Sequence, residues 1–150
     1  MKPILKCIQT SIIDYLKSNE HIQNQANILR NETFSLDEFG ENKFASTYPL
    51  CLLVSYPFPI QATVDVSAPC WEKLSLHCLL IQKLSIASTS QFLNLAEEIS
   101  YTISHQKFSN AVWEGTFVLS ENHPWEWFKI KQGFGLKINF TTSNFNLLLP

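Results

Sequence analysis

Residues 73–86 constrain the fold more than any other stretch of this chain. Leu74, Leu76, Cys78 and Leu80 fall on one side of an extended backbone, continued by Leu84 and Ile86. Ser75, His77, Lys83 and Ser85 fall on the other. A period of two with one apolar face is the mark of a half-buried strand. The run exceeds the usual strand length. It therefore demands a sheet around it, and its end is expected to project as an arm that pairs with a neighbour.

The flanking segments supply the rest of that sheet and its cover. Residues 3–18 carry Ile4, Ile8, Ile12 and Tyr15 at helical spacing, widened by Leu5 and Leu16, with Pro3 in the first turn. They read as an amphipathic helix and not as a signal peptide, because Gln9 and Asp14 interrupt the apolar residues. Residues 19–47 are polar and poorly periodic; a short strand is expected at 26–29 and a long acidic arm at 31–47. Residues 48–56 form a strand apolar on both faces, ended by Pro57 and Pro59. Ile60, Ala62, Val64 and Val66 alternate with polar residues in a second, half-buried strand.

Ser88 and Gln91 fit a capping box that opens a helix reaching about His105. Phe92, Leu95, Ala96, Ile99 and Ile103 form its stripe, and Glu97 and Glu98 are expected to face solvent. Residues 113–120 read as a strand, 121–128 as an aromatic loop and 134–142 as the last strand, with Gly133 and Gly135 permitting a bend at its entry. The tail ends in Leu147, Leu148 and Leu149, an apolar segment expected to dock on its own domain or on a neighbour. The sum is one α+β domain over 1–150: an antiparallel or mixed β-sheet with two helices packed on one face, its elements running helix, three or four strands, helix, two strands. No internal repeat is visible in the residues.

Charge and side-chain chemistry narrow the function. Charged residues make up only 16% of the chain and hydrophobic ones 45%, with four Trp and eleven Phe. Low charge with many aromatics is the composition of interface cores. The net charge of −2 and scattered Lys and Arg leave no basic stripe for nucleic acid. No run is long and apolar enough to suggest a membrane span. The cysteines, Cys7, Cys51, Cys70 and Cys78, form no C-x-x-C pair, which favours a reducing compartment. His77 and Cys78 are adjacent and so point to opposite faces of a strand, while His21, His105 and His123 lie far apart, so no metal site is expected. Cys70 has no basic neighbour to activate it, Glu97 and Glu98 do not converge, and the chain has only four glycines to cradle a phosphate. No catalytic residue and no cofactor is expected. The candidate protein-binding residues are Trp113, Trp125, Trp127 and Phe128, together with Leu147, Leu148 and Leu149. Trp125 and Trp127 alternate, so an extended segment would place both on one face.

The order of these elements resembles the α-β-β-β-α-β order of one family. The stretches Tyr48-Pro49-Leu50-Cys51-Leu52-Leu53-Val54, Phe92-Leu93-Asn94-Leu95-Ala96-Glu97-Glu98-Ile99 and Leu136-Lys137-Ile138-Asn139-Phe140-Thr141-Thr142 resemble those of the Mu-type tail terminators of long-tailed phages and contractile injection systems. The acidic arm and the Trp-rich segment depart from that pattern. The resemblance implies a ring homo-oligomer, usually a hexamer, that caps the tail tube protein and meets a neck or head-completion protein. It implies assembly in the cytoplasm and residence in the virion tail, without nucleic acid, membrane or cofactor. A small protein-binding module, such as a secretion chaperone or an immunity-type inhibitor, is the alternative.

Overall fold

Two fifteen-residue strands organise the chain in the computed structural model, which describes residues 4–31, 50–64, 69–83, 89–130 and 133–148. The elements run α1 (Ile4–Ser18), α2 (Glu20–Gln25), β1 (Asn27–Asn31), β2 (Leu50–Ser55), β3 (Phe58–Val64), β4 (Pro69–Lys83), α3 (Thr89–Ile103), β5 (Lys107–Ser109), β6 (Trp113–Leu119), β7 (Trp125–Ile130) and β8 (Gly133–Leu147). Among the described residues the strands form one curled sheet of eight, ordered β1-β2-β4-β8-β6-β5, with β3 on β4 and β7 on β8. Only β1 and β2 are parallel; every other pairing in the sheet is antiparallel.

This corrects the expected class. The protein is mainly β, one curled mixed sheet with a few helices, and not an α+β domain with two helices packed on one face of its sheet in α-β-β-β-α-β order. The excess strand comes from segments whose own residues argue weakly for it. β5 has three residues, β7 lies where an aromatic loop was expected, and β8 continues through Ser143, Asn144 and Asn146 to Leu147. Asn144 and Asn146 have low strand preference, but pairing with β6 satisfies their backbone groups and overrides it. The six-residue α2 was also unexpected; the Asn19 side chain accepts from the His21 and Ile22 amides and starts it.

The strand arrangement repeats although the residues do not. In the first half, β2 and β3 pair in succession along one edge of β4. In the second, β6 and β7 pair in succession along one edge of β8. Pro57 stands in the first gap and Pro124 in the second, each lacking the N–H that a continuous ladder would use. The long strands then pair with each other, Lys83↔Gly133 through Ser75↔Thr141, to join the halves.

The alternation of β4 fixes its orientation. Leu74, Leu76, Cys78 and Leu80 are all completely buried and share one core with Leu136, Ile138 and Phe140 of β8. Ile8, Ile12 and Leu16 of α1, Ile22 of α2 and the α3 stripe Phe92, Leu95, Ala96, Ile99 and Ile103 complete it. α1 is also held by a polar clamp. Buried Gln9 donates to the Val54 carbonyl at 2.8 Å, and Arg30 of β1 donates to Gln9 Oε1 at 3.1 Å and to Thr10 Oγ1 at 2.7 Å. A second, small cluster of Leu53, Leu79 and Ile81 lies on the other face of the sheet, with Leu29, Phe128 and Ile130 against it.

The glycines at the start of β8 serve close approach and not a bend. A Cβ at Gly133 would stand 2.1 Å from the Gln82 carbonyl oxygen, and one at Gly135 would stand 2.2 Å from the Phe128 ring. Among the described residues, no glycine has positive φ. His105 does, at 62°, where the chain leaves α3 and its amide donates to the Phe117 carbonyl at 2.8 Å.

Candidate protein-binding surface

The β6–β7 connection is tied to β8 by one side chain. Asn139, itself buried, donates to the His123 carbonyl at 2.7 Å and to Glu126 Oε2 at 2.9 Å. Its backbone N–H donates to the Pro124 carbonyl and its carbonyl accepts from Ser120, both at 2.9 Å. This anchor turns the chain so that β7 runs antiparallel beside β8, Trp125↔Ile138 and Trp127↔Leu136. Because Ile138 and Leu136 face the main core, Trp125 and Trp127 stand on the same side as α3. The expected sharing of a face by these two residues is met, on a strand and not on a loop.

An open cleft of about 660 Å³ lies between α3 and the β6–β7 connection. Glu97, Tyr101 and His105 line it from the helical side, Val118, Leu119 and Glu121 from β6 and its end, and Trp125 from β7. Trp125 is fixed there: its indole N–H donates to Ser100 Oγ at 3.1 Å, and the Ser100 hydroxyl in turn donates to the Ala96 carbonyl at 2.8 Å. That hydroxyl is spent on packing α3 against β7 and is no free nucleophile. Tyr101 is 80% exposed and Trp127 54%, large rings left in water on the same side of the sheet. Trp127 leans on Phe92 and Phe134, with ring centroids 5.8 and 6.1 Å away.

The other candidates are placed differently. Trp113 is completely buried between Phe108 and Phe145 and belongs to the core. Phe128 lies on the opposite face, over Gly135. Leu147 pairs with Trp113 at the end of β8 and packs against the core; Leu148 is 37% exposed, its amide donating to the Val112 carbonyl at 2.8 Å. Leu149 lies outside the described residues, as do most of the 31–47 arm, Ser88 of the capping box and the projecting end of the long strand at 84–86. Glu98 does not simply face solvent, since it pairs with His21 Nδ1 and ties α2 to α3.

Glu97, Tyr101, His105 and Glu121 are the lining residues that sequence reasoning passed over as a group. Glu97 and Tyr101 are four apart, hence neighbours on one helix face, but only the position of α3 beside the β6–β7 turn makes that face the wall of a cleft. Among the described residues no three of His, Cys, Asp and Glu gather to hold a metal ion. Burial pushes the Cys51 thiol up to about 11 and the Cys78 thiol up to about 12, so both stay protonated at neutral pH. Among the described residues no helix is long and apolar enough to cross a membrane.

On the opposite face a polar strip crosses the long strands. His77 and Asn139 are direct cross-strand partners, and Glu126 pairs with Lys137 at 3.6 Å. Burial first, and then the Lys137 charge, hold the His77 imidazole below its ordinary value; Asn139 and Glu126 oppose them. The hydrogen bond from Asn139, with the nearby Lys137 charge, holds the exposed Glu126 carboxyl below its ordinary value against a smaller desolvation effect.

No protein-family model matches the sequence, and no curated protein matches it either.

Proposed function

We propose that this chain is a structural subunit that works by binding protein and not by catalysis, assembling with copies of itself. The observation that carries this reading is the surface along α3 and β7, where Tyr101 and Trp127 stand exposed beside an aromatic-walled cleft. Large aromatic rings dominate the energetics of protein interfaces, and leaving two of them in water is costly unless a partner covers them. β7 pairs with β8 alone among the described strands, so a partner strand has a ladder to extend there. The narrower form of the reading is a ring, usually of six, that ends a phage-type tail tube and meets a neck protein. It draws on the sequence resemblance. The element order departs from that family's, so the surface supports the broader reading and the resemblance alone supports the ring.

Light scattering across a concentration series tests both levels. A mass that rises to a closed ring supports the terminator reading. A strict dimer transfers the reading to a chaperone-like or inhibitor-like binding module. A monomer at every concentration, unaltered by Trp127→Ala, overturns self-assembly as the role of this surface.

A further inference from the structure

The cleft beside α3 has a chemistry of its own. Among the described residues its wall carries two carboxylates, Glu97 and Glu121, one imidazole, His105, and neither lysine nor arginine. Other carboxylates of this half are already matched: Glu98 with His21, Glu114 with Lys107 and Glu126 with Lys137. Glu97 and Glu121 have no such partner among the described residues, and both are exposed at the mouth of one cavity. Two aromatic rings, Tyr101 and Trp125, stand with them. The Trp125 ring is held in place because its N–H is taken by Ser100. In the same wall Ser104 Oγ is buried without a hydrogen-bond partner, one more oxygen left open.

Two acids on one wall and an anchored indole select one kind of guest. A cation over an aromatic face gains from the ring's charge distribution, and more when it is shielded from water. A carboxylate beside it adds a charge-assisted hydrogen bond. A neutral apolar side chain would gain from the rings but would desolvate both carboxylates without return. An acidic one would be repelled. The volume, about 660 Å³, accepts a long side chain together with the backbone that bears it.

We propose that the cleft between α3 and the β6–β7 connection receives a lysine or arginine side chain of the protein that this chain binds. This inference rests on the protein-binding reading above and gives it a chemical preference. Guanidinium suits the site better than ammonium, because its plane stacks on an indole while its N–H groups reach two carboxylates.

The test uses the full chain and N-acetyl-arginine amide as probe, followed by amide and indole N–H shifts in nuclear magnetic resonance spectra. The expected result is saturable binding that moves the Trp125 indole and Tyr101 amide signals. N-acetyl-citrulline amide, the same shape without the charge, leaves them unmoved. In the double variant Glu97→Gln/Glu121→Gln, whose exposed changes leave the fold intact, affinity for the arginine probe falls roughly tenfold or more. Equal binding of the charged and neutral probes, binding of the arginine probe elsewhere, or an unaltered affinity in the double variant would each overturn the proposal. Light scattering on the same samples separates the two levels. Assembly without arginine binding ends the cleft proposal and spares the protein-binding reading. Arginine binding in a chain that never self-associates ends the self-assembly reading and keeps the cleft's preference.

Discussion

Trp113 and the pair Trp125 and Trp127 sit on successive strands of the same half and are used in opposite ways. Trp113 begins β6, where Asn110 Oδ1 accepts from the Val112 and Trp113 amides and sets the strand's entry. Its ring is wholly enclosed, 6.2 Å from both Phe108 and Phe145, and its indole N–H has no acceptor among the described residues. Trp125 has its N–H satisfied by Ser100 and shows part of its ring to the cleft, while Trp127 is more than half exposed at the sheet's rim. The first residue thus contributes to stability at the cost of an unpaired donor. Trp125 is anchored and partly buried and Trp127 keeps half of its ring in water, an arrangement that fits the proposed protein-binding surface.

The largest expected effect tests the buried side of that contrast. Trp113→Ala should lower stability by about 3–5 kcal/mol in urea denaturation, the usual cost of emptying an aromatic site in a packed core. Trp113→Phe should recover most of this, since it also removes the unpaired donor. A loss below about 1 kcal/mol for the alanine variant would show that the site is not close-packed.

Next comes the joint between the two halves. Gly133→Ala drives a methyl into the Gln82 backbone and should cost about 1–3 kcal/mol, because a carbonyl cannot swing away as a side chain can. Gly135→Ala meets only the Phe128 ring, so it should cost less and change the far face, read as a shift of the Phe128 signals.

The polar strip responds to pH. His77 titrates below its ordinary value of 6.5 in the folded chain, so the unfolded chain binds the proton first. Stability should therefore be full above 6.5 and fall as pH drops from there through the folded value. Glu126, also lowered from its ordinary 4.5, adds a further loss at more acidic pH, small because the group is exposed. His77→Gln should flatten the upper part of that decline in chemical denaturation between pH 7 and 5. An unchanged slope would place the acid sensitivity elsewhere.

Smallest in stability and largest in consequence are the exposed rings. Tyr101→Ala should change stability by no more than about 0.5 kcal/mol and Trp127→Ala by about 1–2 kcal/mol, because its ring packs on Phe92 and Phe134, while both weaken association.

Parts of this were legible in the residues. The alternation through Leu74, Leu76, Cys78 and Leu80, and the stripe Phe92, Leu95, Ala96, Ile99 and Ile103, are local patterns with one physical solution, and all nine side chains are completely buried. β7 was legible only in part: Trp125 and Trp127 alternate around Glu126, but His123-Pro124 reads as a turn and the aromatics as its continuation; the pairing that makes a strand of them comes from β8 and the Asn139 anchor. The last turns of β8 were hidden for a similar reason, Ser143, Asn144 and Asn146 being poor strand residues held by β6. The cleft could not be read at all. It arises where a helix face and a strand turn meet, and no spacing in the sequence records that.

The most direct test of a protein-binding role for this surface is oxidative footprinting of Tyr101 and Trp127 across the concentrations at which mass is measured. Protection of both as mass rises, with Trp113 unreactive throughout, is the predicted result. Assembly that leaves Tyr101 and Trp127 fully reactive would contradict it.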